Sequence, residues 1–268
     1  MRRVLRGLVN YHVEEPVENY KIYIDADGIP GNRVDKYTLK TTEVELEDVS
    51  TSGKHLNFSR DGLAFAKYPT RVGKLGDEID DTSREVYDKE LEEIIRSNLE
   101  NVSEVEVFDH TIRSDTSTTR PPAWHVHGDY TARSAHQRVR DVVGEDRAKE
   151  WLKEKGHFGI VNIWRPLDSV VERSPLGFIE GCTVEPDDWH EVSIIYADRV
   201  GKILGVVGRD THKWVVIDKM DTDMVWIFCQ YDSAGLCAVP HSAVEVLGTE
   251  KDARPRRSIE SRILVRYD

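Results

Sequence analysis

A chain of 268 residues, 39% hydrophobic and 32% charged, is long enough to bury a sizeable core and short enough to form one domain. Its formal net charge of −12 excludes the basic face of a nucleic-acid-binding protein and disfavours an anionic membrane surface. Three cysteines (Cys182, Cys229 and Cys237) make no even framework, no apolar run reaches the length of a membrane span, and no secretory signal follows the N-terminus, so a cytoplasmic location is expected.

In chain order, residues 1–60 read as an irregular N-terminal extension packed on the core. They carry a short alternating run at 20–24, a turn at 27–31 and an edge strand at 42–46. The main domain is expected over 61–268, opening with a strand at 63–68. A helix is predicted over 83–99, where Val86, Leu91, Ile94, Ile95 and Leu99 recur at helical spacing and Asp81, Thr82 and Ser83 are candidate N-caps. A strand at 105–113 and a Ser/Thr/Pro-rich loop at 114–122 follow, the loop having the composition of a pocket mouth. A second helix is expected at about 133–154, interrupted near Gly144. Beyond Gly156, strand-like runs at 159–164, 192–196, 203–207, 214–217, 224–229, 243–247 and 263–267 predict a sandwich or barrel with the helices packed outside.

Between the loop and the second helix lies Trp124-His125-Val126-His127-Gly128-Asp129-Tyr130-Thr131. Side chains at i and i+2 of an extended backbone share a face, so His127 and Asp129 converge. With one distant histidine they would complete a 2-His-1-carboxylate triad, which holds Fe(II) and leaves coordination positions open. His125 also makes a His-x-His pattern, as in cupins, but residues 130–135 lack the Glu that a cupin supplies. A zinc hydrolase is disfavoured because no nearby carboxylate stands out as a general base. Candidates for the third ligand are His136, His157, His190, His212 and His241; His241, at the start of a strand, is the best placed. Further on, alternation puts Arg256, Ser258, Glu260 and Arg262 on one face of a strand and Ile259, Ile263 and Val265 on the other. That polar face reads either as a wall gripping a carboxylate or as a salt-bridged surface strand. Tyr130 and Trp164 are the aromatic residues expected to face the site.

Six motifs occur in order: Val107-Phe108-Asp109-His110-Thr111-Ile112-Arg113, His127-Gly128-Asp129-Tyr130-Thr131, Asn162-Ile163-Trp164-Arg165-Pro166-Leu167, Tyr231-Asp232-Ser233, His241, and the ending from Arg256 to Arg262. The set resembles the fungal and bacterial hydroxylase/desaturase family that includes AsaB-like proteins, gibberellin desaturase and the cephamycin 7α-methoxylation component CmcJ. The resemblance covers roughly residues 60–268. It implies a β-rich α+β fold with a double-stranded β-helix (jelly-roll) core and flanking helices, using Fe(II), 2-oxoglutarate and O2. It further implies His127, Asp129 and His241 as iron ligands, Arg256 and Ser258 as the grip on the distal carboxylate of 2-oxoglutarate, and Asn162 beside them. Arg165, His110, Arg113 and Arg262 would line the pocket. Met224 departs from the family, which tends to carry an acidic residue there. The function implied is oxidation of an unactivated C–H bond of a small molecule, by hydroxylation, desaturation or ring closure, in secondary metabolism. The competing readings are an iron oxygenase that does not use 2-oxoglutarate, and a non-enzymatic β-barrel that binds small molecules.

Overall fold

Two sheets face each other in the computed structural model, which describes residues 3–14, 21–23, 33–34, 39–118, 120–197, 200–236 and 238–268. Among these, the larger sheet runs β15 (Glu245–Val246), β1 (Val4–His12), β4 (Leu39–Asp48), β12 (Trp214–Val216), β9 (Leu176–Ile179), β14 (His241–Ala243), β7 (His127–Gly128), β11 (Val200–Val206), β10 (Trp189–Ile195), β2 (Lys21–Tyr23) and β3 (Arg33–Val34). The smaller runs β5 (Leu63–Lys67), β13 (Met224–Asp232), β8 (His157–Pro166), β16 (Arg257–Tyr267) and β6 (Val102–Ser114), every pair antiparallel.

Alternation along each strand decides what the sheets bury. Leu176, Phe178 and Val215 of the larger sheet pack on Leu63, Trp164, Trp226 and Phe228 of the smaller. The odd-numbered residues Val161 and Ile163 of β8, with Ile259, Ile263 and Val265 of β16, turn to the opposite face. There they meet Tyr87, Leu91, Ile94 and Ile95 of α2 (Asp81–Asn98). That helix starts two residues before the predicted position, and its N-cap is Asp80, whose Oδ1 accepts from the Ser83 N–H at 2.9 Å. A four-residue helix, α1 (Phe58–Asp61), precedes β5. The second predicted helix is α3 (Ala132–Trp151), begun by a Thr131–Ser134 capping box and broken at Gly144, whose φ of 79° few residues other than glycine adopt. Its apolar stripe, including Ala135, Val139 and Trp151, closes over Phe158, Ile160 and Leu264. Among the described residues no helix is long and apolar enough to cross a membrane.

The N-terminal segment differs from expectation. β1 and β4 pair over nine positions, and β4 has β12 on its other side, so the 42–46 run is interior to the sheet rather than at an edge. Val9, Tyr11 and Leu46 bury beside Trp214 and Val244, while the carboxylates of this stretch occupy the other face and dilute its apolar signal. The 20–24 run contains β2, and the expected turn at 27–31 lies outside the described residues.

Candidate active site

β7 is two residues long and wedged between β14 and β11. In its register His127 lies directly opposite His241. Gly128 is required there because a Cβ would meet the Trp189 ring at 3.0 Å. One ligand atom from each of His127, Asp129 and His241 lies within 4.8 Å of the others. His127 Nε2 and Asp129 Oδ1 are 3.5 Å apart, and the two imidazole centroids are 4.3 Å apart. Each imidazole turns Nδ1 to a carbonyl two residues upstream: His127 to His125 O at 2.9 Å and His241 to Val239 O at 3.3 Å. A neutral ring donating through Nδ1–H leaves its Nε2 lone pair aimed at the centre.

Asp129 is held from three sides. Its N–H donates to Gln230 Oε1 at 2.7 Å, and its Oδ2 accepts from Asn162 Nδ2 at 2.8 Å and Arg262 Nε at 3.0 Å. Oδ1 is thereby the oxygen left facing the histidines. Burial works against the charge, but the Arg262 guanidinium and the two imidazoles outweigh it and hold the Asp129 carboxyl well below the usual range. Burial, with His127 beside it, pushes His241 down to about 3. An ionised carboxylate and an unprotonated imidazole are the states in which a divalent metal is bound. Arg262 also reaches Asp109 at 2.6 Å and Glu260 at 3.0 Å. Burial opposes its charge, yet these carboxylates, Asp129 foremost, raise its pKa well above the ordinary value.

A second feature lies one strand-face step away. Arg256, 3% exposed, stacks over Trp164 at 5.5 Å and donates Nη1 to Ser174 O at 2.6 Å, while its Nε has no hydrogen-bond partner among the described residues. Ser258 Oγ, on a side chain equally buried, also lacks one, as does Asn162 Oδ1. Native proteins leave few buried polar atoms unsatisfied, so two orphaned donors on one face mark a place for an acceptor. Burial pushes the Arg256 guanidinium down to about 10, which leaves it cationic at neutral pH. The metal triad and this donor pair together fit a divalent ion beside a carboxylate-bearing co-substrate.

Of the remaining expected pocket residues, Arg113 and Tyr130 line a cleft of about 1520 Å³ that opens from the triad. Arg113 stands in register opposite Ser258 and donates Nη1 to Pro121 O at 3.0 Å. Burial pushes the Tyr130 phenol up to about 12. Trp164 lies between the sheets, beneath Arg256. Arg165 and His110 do not join the site. Arg165 is one residue out of phase with Asn162 and Trp164, so it faces α2, over the Tyr87 ring at 5.6 Å. His110 faces the same helix, between Ser261 Oγ and Asp88 Oδ1, each at 2.8 Å.

The other histidines considered as ligands have separate environments. His136 packs on Phe158 and Tyr231, His157 pairs with Asp232, and His212 bridges Asp188 and Tyr11. His190 starts a file of rings: His190 to His12 at 4.8 Å, His12 to His125 at 5.8 Å, and His125 to His127 at 4.6 Å. Gln230, which sets the Asp129 backbone, went unnoticed in the sequence. Its signal was an amide directly after the apolar run from Met224 to Cys229, a group that must find partners when such a strand is buried.

Comparison with known proteins adds three findings. A family model described as oxidoreductase/YMDC permease-like domain matches residues 9–266. The hydroxylase/desaturase efuI of Hormonema carpetanum is 27% identical over 90% of this chain and 88% of its own length, and the Fe(II)/2-oxoglutarate-dependent dioxygenase nvfI of Aspergillus novofumigatus is 33% identical over 54% of this chain and 52% of its own. A solved structure of the iron and alpha-ketoglutarate-dependent endoperoxidase NvfI shares the fold, with a TM-score of 0.83 at 23% identity, covering 100% of this chain and 99% of that one.

Proposed function

Because the chain belongs to the oxidoreductase/YMDC permease-like domain family, we propose that it is an Fe(II)- and 2-oxoglutarate-dependent oxygenase acting on a C–H bond of a small molecule in secondary metabolism. Relatives named as a hydroxylase/desaturase and as an Fe(II)/2-oxoglutarate-dependent dioxygenase agree with the resemblance carried by the motifs. The observation that carries the reading is the convergence of His127, Asp129 and His241 on one point, with orphaned donors on Arg256 and Ser258 near the start of the strand whose Arg262 holds Asp129. Two facing sheets with the site between their strands suit a double-stranded β-helix.

In this reading His127, His241 and Asp129 would hold the iron, through Nε2 of each histidine and Oδ1 of the aspartate. Bound Fe(II) with 2-oxoglutarate supplies the oxidising power, with O2 as oxidant and succinate and CO2 as co-products. The protein's part is placement. Asn162 and Arg262 occupy Asp129 Oδ2 and so restrict the carboxylate to one donor oxygen. Arg256 Nε–H and Ser258 O–H would hold the distal carboxylate of 2-oxoglutarate, with Trp164 beneath the guanidinium shielding that pair from water.

The test is anaerobic Fe(II) titration together with succinate release from 2-oxoglutarate. The native chain is expected to bind one iron and to form succinate, and His127→Ala and Asp129→Ala to lose both. Equal metal content in all three proteins would overturn the reading. Iron binding with substrate oxidation but no succinate would point instead to an oxygenase that does not use 2-oxoglutarate.

A further inference from the structure

The cleft at the triad, about 1520 Å³, exceeds the roughly 300–1,000 Å³ of ordinary small-molecule sites and leaves ample room beyond a co-substrate. Its walls are chemically divided. On the larger-sheet side, Ile22, Ile194, Tyr196, Val200 and Ile203 carry the lining outward along the β10–β11 hairpin. Val200 is 62% exposed and Trp124, at the opposite rim, 37%, large apolar surfaces left open to solvent. β11 meets β7 at Leu204, four residues from Val200, so this wall extends about 13 Å from the triad strand; it is apolar except at Lys202, whose ammonium pairs with Glu191.

On the α3 side stands Arg138. Its guanidinium lies over the Phe108 ring at 5.3 Å, and its Nε is buried without a hydrogen-bond partner. It forms no ion pair among the described residues, in a chain with 49 acidic side chains to 37 basic ones. Neighbouring carboxylates of the cleft are otherwise engaged: Asp109 holds Arg262, and Asp141 accepts from Gln137 Nε2 at 2.9 Å. A stacked, half-buried guanidinium kept free of the abundant acidic partners is a site waiting for an anion.

We infer that the substrate is an anionic amphiphile, an organic acid whose apolar body lies along the β10–β11 hairpin and whose acidic group pairs with Arg138. This deepens the oxygenase reading by naming a substrate class for that cleft. Arg138 and the hairpin line the same cleft as His127 and Asp129, so a molecule anchored at both lies in reach of the triad.

Two fluorescent probes with one aromatic skeleton test it on the full metal-free chain: 8-anilinonaphthalene-1-sulfonate, which is anionic, and N-phenyl-1-naphthylamine, which is neutral. The native chain should bind the sulfonate about fivefold or more tightly than the amine. Arg138→Gln should abolish that preference and leave the neutral probe's Kd unchanged, while Arg138→Lys should retain most of it. Equal affinities for the two probes in the native chain would overturn the inference. So would a loss shared equally by both probes in both variants, the mark of a purely structural role. Neither probe needs iron or turnover, so a failed oxygenase assay and a failed probe experiment are told apart.

Discussion

Asp129 illustrates how much a single side chain depends on those behind it. Arg262 and Asn162 take one of its oxygens, and Gln230 pins its backbone. Arg262→Lys keeps the charge and loses the fork that spans Asp129, Asp109 and Glu260. Groups that orient a metal ligand typically contribute about 10–100-fold in affinity, so the variant's Fe(II) or Mn(II) Kd should rise by that order in an anaerobic titration. An unchanged Kd would mean that the fork does not orient the ligand. Ser258→Ala acts on the other group: one lost hydrogen bond to a carboxylate should raise the KM for 2-oxoglutarate by about tenfold and leave metal affinity as it was. The pair of variants therefore separates the metal clamp from the co-substrate grip. The face carrying Arg256, Ser258, Glu260 and Arg262 was legible from period-two alternation. That Arg262 would hold Asp129 was not, because the two residues lie 133 positions apart in sequence.

At the scale of elements, the site depends on the start of α3. Thr131 caps that helix two residues after Asp129, its Oγ1 accepting from the Ser134 N–H at 3.1 Å. Thr131→Ala should cost about 1 kcal/mol, read as a lower urea midpoint at constant m-value; no change would mean that solvent caps the helix equally well. Both long helices were visible in the sequence because their apolar residues repeat every three to four positions and polar caps precede them. β7 was not visible as a strand in the same way. It is two residues long, too short to show a period, and is held in register by β11 and β14. Arg165 and His110 show the same limit from the other side: both belong to the family motifs, yet strand phase turns them toward α2.

For the whole molecule, the file of imidazole rings behind the triad predicts an acid response. Burial, with His190 and His127 adding repulsion, pushes His12 from 6.5 to about 3, and burial pushes His190 from 6.5 to about 4. In the unfolded chain both protonate near 6.5, so between 6.5 and these lower values the unfolded state binds more protons. The stability due to neutral, buried imidazoles is therefore complete above pH 6.5 and is lost as pH falls through the folded values. Each unit of depression corresponds to about 1.4 kcal/mol. The Tm of metal-free protein should fall by about 5 °C or more from pH 7 to pH 5, and His12→Asn should flatten that slope. A Tm constant over this range in the native chain would contradict it.

The sequence alone determined what local patterning controls: a strand-rich chain, two amphipathic helices with their caps, a break at Gly144, and His127 and Asp129 two residues apart on extended backbone. Ordered motifs added His241, Arg256 and Ser258 as expectations. The tertiary structure decided what depends on contacts between distant segments: that β1 and β4 complete the larger sheet, that His241 sits opposite His127, and that Asn162, Gln230 and Arg262 surround Asp129. Periodicity specifies which face of an element is buried. Only the packing of sheets and helices specifies which faces meet, and a site made of residues 127 to 262 is built from such meetings.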